Sequence, residues 1–432
     1  MEPVLTRNIS KNPDTTWIDV YEANGGYRAL RKALDMDPCA IVHLVSDSGL
    51  KGRGGAGFPT GFKWKVMPPV EEAARPRYLA VNFDEMEPGT FKDRFLVERD
   101  PHQLIEGAII AAWAIQADIV YIFVRDEYRR QTDILRRALA EAQTRGHYGR
   151  DVRGKGWDLD IWIHVSAGRY MCGEETGLLN ALEGGRANPR SKPPYPQTSG
   201  LWGKPTVVQN VETLCCVPHI VERGAEWFRS LGKAKDSGSK IYGASGKVNR
   251  PGCWELPMGI TMRELVEEHA GGMRHGYGFR AALPGGASTQ FLDSTQMDIP
   301  LDFDTLKEHG MFLGTGTAIV LDDRTCPVAM CRNLEVFYAR ESCGWCTPCR
   351  EGLPWVERLL QSIEKGEGRP GDVDLLLDQA NCLGSNAFCA FALGAIQPLV
   401  SAIHKFRQDF EEHIRLGRCP YEPSAVSRQL SG

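Results

Sequence analysis

Apolar and polar positions along the chain follow two periods. Tyr78 to Asn82 and Ile119 to Val124 are short apolar runs that predict buried strands, and Asp158 to Val165 alternates polar with apolar like a third. Between and after them, Pro101 to Ala117, Asp126 to Arg145 and Glu174 to Leu182 repeat at helical spacing, the second with a broad polar face. Strands alternating with helices predict a layered α/β domain. The first fifty residues read as a helical lead-in. They end in a stretch, Gly49 to Gly61, whose six glycines in thirteen positions exclude a stable helix or strand.

The pattern then changes twice. Ala187 to Pro205 holds five prolines and two glycines and predicts a long functional loop. From Lys240 to Asp323 the pattern predicts short strands with glycine turns and a single helix, Thr261 to His269, a separate β-rich module. From Cys326 helical spacing dominates, with Pro348 to Glu364, Val373 to Ala380 and Ile396 to Ile414 as predicted helices of a C-terminal bundle. A length of 432 residues fits two to four domains.

Composition narrows the function classes. With 42% hydrophobic residues, 25% charged residues and a net charge of −4, the chain lacks the basic field that nucleic acid or anionic lipid demands. No apolar run reaches the roughly 18 residues of a membrane span, because Leu104 to Ala117 is interrupted by Glu106 and Gln116. The start, Met-Glu-Pro-Val-Leu-Thr-Arg, has neither a signal core nor an Arg-rich presequence, which favours a bacterial cytoplasm. Thirteen scattered cysteines with one tight group suit a metal site in a reducing compartment better than a disulfide framework.

That group, Cys343-Gly-Trp-Cys346-Thr-Pro-Cys349, sets three thiolates at two-residue intervals, as a cuboidal iron–sulfur cluster requires. Structural zinc more often uses two separated Cys pairs, so the spacing favours the cluster. Cys382, Cys389 and Cys419 are the candidates for a fourth ligand. Cys389 is preferred because Ser385 to Cys389 is a polar loop meeting a helix start, whereas Cys419 lies in the tail. The other cysteines, Cys326 and Cys331 among them, read as small buried hydrophobes.

Two further segments carry candidate chemistry. In the Gly52 to Gly61 loop, backbone N–H groups can approach a phosphate, with Lys51, Arg53 and Lys63 adding positive charge and Phe58 offering a ring to stack on a nucleotide. The loop does not have the Walker spacing, and tight packing alone would also call for its glycines. Asn82-Phe-Asp84-Glu85-Met-Glu87 places carboxylates at the end of a predicted strand, where they can hydrogen-bond ribose hydroxyls and repel an extra 2′-phosphate. Gly173-Glu174-Glu175 opens a helix in a similar way, where its acids either favour the helix start or face a cofactor.

Six motifs in order, Lys51 to Gly61, Asp84 to Gly89, Cys172 to Thr176, Arg186 to Pro194, Asn210 to Thr213 and Glu341 to Gly352, make the chain resemble the NADH-oxidising flavoprotein (F) subunits of bacterial NADH-quinone oxidoreductase, respiratory complex I. The resemblance implies a Rossmann-like FMN and NADH domain over residues 1–235, a ubiquitin-like β-grasp domain over 236–325 and a helical bundle with a [4Fe–4S] cluster over 326–432. It implies that Gly52, Arg53, Gly54, Gly55, Ala56, Gly57, Phe58, Lys63, Asn82, Asp84, Glu85, Glu87, Tyr170, Gly173, Glu174, Glu175, Lys192 and Asn210 surround FMN and NADH, and that Cys343, Cys346, Cys349 and Cys389 hold the cluster. Hydride transfer then runs through the flavin, with no catalytic triad, toward a quinone site on other subunits. The implied partners are the thioredoxin-like [2Fe–2S] E subunit and the large iron–sulfur G subunit, on the cytoplasmic face of the inner membrane. Phe83 and Gln209 depart from the family's usual alanine and asparagine, which bears on local flavin contacts.

Two other readings share parts of this pattern. The diaphorase subunit of an NAD-linked hydrogenase or formate dehydrogenase has the same core, often behind an extra thioredoxin-like N-terminal domain, and only fifty residues precede the glycine loop here. A zinc-stapled scaffold without cofactors is the non-enzymatic alternative.

Overall fold

The computed structural model describes residues 2–9, 14–72 and 75–421, so the outer ends of the expected domains 1–235 and 326–432 lie outside the described residues. The three predicted strands, joined by a fourth that is not predicted, form a wholly parallel sheet in the order β3-β2-β1-β4, with β1 at Tyr78–Phe83, β2 at Ile119–Arg125, β3 at Asp160–Ser166 and β4 at Thr206–Asn210. The chain runs outward from β1 to β3, then crosses back to add β4 on the other side of β1. The strand order therefore reverses between β1 and β4, and the crevice beyond their carboxyl ends is where ligands bind in such sheets. Asn82 and Asn210 face each other across that boundary as paired residues.

Helices cover the sheet. Pro101–Ala114 is almost wholly buried and packs on the Val211–Arg223 helix, where Gly107 lies so close to the Leu214 carbonyl that a Cβ would sit 2.0 Å from it. The helix stops three residues short of the predicted Ala117. Gln116 takes a left-handed φ of 55° and the Ala117 amide turns back onto the Ala112 carbonyl, a closing turn that apolar periodicity does not signal.

The second module is a mixed five-stranded sheet, β6-β5-β9-β7-β8, with β5 at Ser239–Gly246, β6 at Gly252–Pro257, β7 at Phe279–Leu283, β8 at Leu292–Asp293 and β9 at Thr317–Asp322. The segment predicted as its helix winds into a wide turn, Glu264–His269, opened by a reciprocal cap in which Glu264 and Thr261 each accept the other's amide. A second helix, Phe303–Glu308, corrects the expectation of one. Four helices follow: Pro327–Glu341, Thr347–Glu364, Asp372–Asn386 and Ala390–Leu416. The last two are longer than predicted. The last helix contains Pro398, whose missing amide leaves the Gly394 carbonyl without its usual partner within the helix.

The modules are fastened by buried charge. Lys92 reaches Asp93 at 2.7 Å and Glu212 at 2.9 Å, and Glu212 also takes Lys240 at 3.1 Å and the Ile241 amide at 2.7 Å. All three side chains of this Lys–Glu–Lys bridge are buried, and it joins the parallel-sheet domain to β5.

Candidate FMN, NADH and iron–sulfur site

The glycine-rich loop joins two helices, Pro38–Asp47 and Thr60–Lys65, and is pinched at its base by the Gly52 amide on the Phe58 carbonyl at 2.8 Å. Inside the pinch, no amide from Gly54 to Phe58 has a protein acceptor among the described residues, which leaves a run of donors for an anionic ligand. Side chains have little room in this loop, at Gly57 above all. A Cβ at Gly54 would lie 3.2 Å from that of Asn210, and at Gly57, with φ 64°, it would strike the Phe303 ring at 2.5 Å.

Of the three nearby cations, only Lys63 joins the predicted acids. Lys51 is paired at 2.6 Å with both Asp236 and Asp304, and the buried Arg53 guanidinium lies on the Ser237 and Ser239 carbonyls at 2.9 and 3.2 Å. Both side chains anchor the loop to the start of the β module. Lys63 binds Glu175 at 2.8 Å, Glu175 also takes Lys192 at 2.5 Å, and Phe58 and Phe62 project beside Lys63 as exposed rings 5.8 Å apart. The two lysines hold the Glu175 carboxyl below the usual range despite its burial. Ala56 is exposed in the same loop.

The carboxylates divide into those with protein partners and one without. Glu85 accepts the Asp93 and Arg94 amides at 2.8 and 3.1 Å and the Tyr128 hydroxyl at 3.0 Å, closing the first turn of the Lys92–Arg99 helix. Glu174 caps the Glu175–Leu182 helix through the Thr176 and Gly177 amides, both at 2.8 Å. Glu87 accepts the Tyr170 hydroxyl at 2.5 Å and the Ser288 amide at 2.6 Å, and burial raises its affinity for a proton. Asp84 differs: both of its oxygens are buried with no hydrogen-bond partner, and desolvation pushes its pKa up to about 7 against the pull of Arg125. Glu85 and Glu87 also border a separate cleft of about 480 Å³, toward Arg94, Arg125 and Ser245, that the glycine loop does not reach.

Asn82 donates to the Gly173 carbonyl at 3.0 Å, while Asn210 accepts the Thr213 amide at 3.3 Å and donates to Asp93 at 2.6 Å. These bonds fix both asparagines at the strand ends. Thr213, one residue beyond Glu212, accepts the Arg53 amide at 2.8 Å, so the Asn-Val-Glu-Thr motif holds the loop, the sheet and the β module together. The network of Lys92, Glu212 and Lys240 is not legible in the sequence: only Glu212 lies in a motif, and its partners are remote along the chain.

The four expected cluster cysteines surround one cavity. Cys343, Cys346 and Cys349 approach it from the start of the Thr347–Glu364 helix and Cys389 from the residue before Ala390–Leu416, with Met171, Pro189, Trp345 and Phe388 among its walls. Four thiols from two segments around one cavity fit the donor set of a multinuclear iron–sulfur cluster. The reading of Cys326 as a mere buried hydrophobe needs correction: its thiol meets the His413 ring at 3.4 Å, with Cys419 beside them.

The short segment Arg169–Glu175 belongs to both regions. Its Gly173 carbonyl receives Asn82 and the Tyr170 hydroxyl holds Glu87 on the sheet side. On the other side Met171 lines the cysteine cavity and the Tyr170 ring meets Phe391, a residue of that cavity's wall, edge-on at 5.6 Å.

Comparison with known proteins decides the family. The NADH-quinone oxidoreductase F subunit of Escherichia coli (strain K12) is 52% identical over 413 residues, covering 95% of this chain and 93% of that one. The chain belongs to the family of NADH-quinone oxidoreductase F subunits. The protein of the same name in Mycobacterium tuberculosis is 45% identical over 98% of this chain and 96% of its own. Family models match in three places: the Nuo51 FMN-binding domain at residues 45–219, the SLBB domain at 243–292 and the NADH-ubiquinone oxidoreductase-F iron-sulfur binding region at 329–413. Among solved structures, a chain of an NAD+-reducing [NiFe]-hydrogenase in the air-oxidised state superposes with a TM-score of 0.82 at 36% identity, over all of this chain and 70% of that one.

Proposed function

We propose that this protein oxidises NADH at an FMN seated beyond the ends of β1 and β4, and delivers the electrons singly to a [4Fe–4S] cluster held by Cys343, Cys346, Cys349 and Cys389. When bound, FMN supplies the hydride acceptor and the conversion of a two-electron donor into one-electron transfers. The protein's share is orientation and electrostatics. The free amides of Gly54 to Phe58 would hold the phosphate, and Asn82, Asn210, Gly52, Gly55 and Ala56 would frame the ring system. Phe58 would stack on the dinucleotide, and the Lys63–Glu175–Lys192 group would set the charge beside it. Glu85 and Glu174 serve as helix caps whose fixed carboxylates bound the pocket.

The carrying observation is the Arg169–Glu175 segment, which walls both the strand-end crevice and the cysteine cavity. We propose the domain division 1–235, 236–325 and 326–432, which the separation of the two sheets from the helical bundle supports. As partners we propose the [2Fe–2S] E subunit and the iron–sulfur G subunit of complex I, on the cytoplasmic face of the membrane. No helix among the described residues is long and apolar enough to cross a membrane, so contact with it would run through other subunits. The likeness to a hydrogenase chain supports a diaphorase as second reading; co-purification with a nickel-containing partner in place of a quinone-reducing one would favour it.

Gly57→Val tests the pocket. The variant should lose bound flavin and NADH–ferricyanide activity while keeping about four irons per chain. Full flavin retention with unchanged kinetics would refute the loop's role.

A further inference from the structure

At the end of the Pro327–Glu341 helix away from the cluster cysteines, three soft donors converge. Cys326 is the residue that caps that helix, its sulfur accepting the Ala329 amide at 3.4 Å. His413 lies in the last turn of Ala390–Leu416, and Cys419 follows just beyond it. Their sulfur and nitrogen atoms all fall within 4.8 Å of one another, the one such trio among the described residues. The Cys326 sulfur is 3.4 Å from His413 Nε2. Around a tetrahedral zinc, with Zn–S about 2.3 Å and Zn–N about 2.0–2.1 Å, the S···N edge comes to about 3.5 Å. The pair already stands at that edge length.

The histidine is set up for ligation. Its Nδ1 lies 2.6 Å from the Asp409 backbone carbonyl, and only a protonated Nδ1 can use that acceptor, which leaves the Nε2 lone pair facing the thiols. The turn that supplies the carbonyl is itself held, since both Asp409 carboxylate oxygens accept Arg280 at 2.7 Å. Cys326 and His413 are buried while Cys419 is half-buried, so an ion can enter from the Cys419 side.

We propose that Cys326, His413 and Cys419 bind one divalent metal of the zinc class, with a water in the fourth position. Binding sends the two thiol protons to solvent and forms two thiolate bonds and one imidazole bond, with no change of oxidation state. The site shares no ligand with the iron–sulfur quartet. It would clamp the chain after the last helix onto the start of the helix whose far end leads into Cys343, making a staple for the bundle that carries the cluster.

Cobalt(II) added to the anaerobic, iron-loaded full-length chain tests this. Wild type should take up about one cobalt and develop tetrahedral d–d bands with thiolate-to-cobalt charge transfer. Cys419→Ser should roughly halve the charge-transfer intensity. His413→Gln combined with Cys419→Ser should abolish the tetrahedral spectrum, while iron content and cluster absorbance stay unchanged throughout. An unaltered cobalt spectrum in the double variant would overturn the assignment, as would no cobalt uptake by wild type. A Cys326–Cys419 disulfide in chain kept anaerobic would overturn it too.

Discussion

Three acids within four positions have different fates, and only their partners separate them. Glu85 and Glu87 are satisfied by amides and hydroxyls, while Asp84 is buried with none. Its pKa of about 7, above the unfolded value of 3.8, means that the folded state prefers the protonated acid. This contribution to stability is full below about pH 4 and is lost as the pH rises to about 7. In the flavin-free chain, Asp84→Asn should therefore be more stable than wild type at pH 8, by at most about 4 kcal/mol, with the difference vanishing near pH 4. Denaturant unfolding at both values checks it, and a pH-independent difference would contradict it. Cys389→Ser should cost iron while sparing flavin, as measured by iron and FMN analysis. At this scale the sequence speaks clearly where ligation is local: Cys343, Cys346 and Cys349 announce themselves by spacing. It is silent where partners come from afar, since Cys326 and His413 are 87 positions apart and meet only once the bundle packs.

Of the elements that place the site, β1 is legible from periodicity while β4 and the Val211–Arg223 helix are not, and predicted elements differ from the structure at their ends. Strands β1 and β2 extend one residue past the expected limits, and the adjacent helices stop or start where a left-handed residue or a cap decides. Caps also explain why a motif residue can serve structure and site together. Glu174 holds the first turn of its helix by two amides, so Glu174→Ala should destabilise the protein by about 1 kcal/mol, and Glu174→Gln, which keeps one acceptor oxygen, by less. Equal stability of all three by chemical denaturation would show that the cap contributes nothing. The strand-order reversal is not foreseeable from hydropathy, because β4 is not among the predicted strands and its place beside β1 depends on the long crossover before it.

Buried charge fastens the parallel-sheet domain to the β module. Glu212 sits between Lys92 and Lys240, and Glu212→Gln would leave two buried ammonium groups short of their counter-charge. The expected loss is about 3–5 kcal/mol, with flavin released on mild denaturant as the β module loosens from the loop that Arg53 and Lys51 tie to it. Calorimetry and flavin fluorescence check this together. Arg169–Glu175 carries the contact on toward the bundle, and on the proposed function a bound flavin would be the electron donor to the cluster within a single chain. Electron paramagnetic resonance of the anaerobic chain after NADH addition tests that most directly. A reduced-cluster signal should arise in the flavin-loaded chain, disappear after flavin extraction and return on reconstitution with FMN. A cluster that NADH reduces equally well without flavin, or not at all with flavin bound, would contradict it.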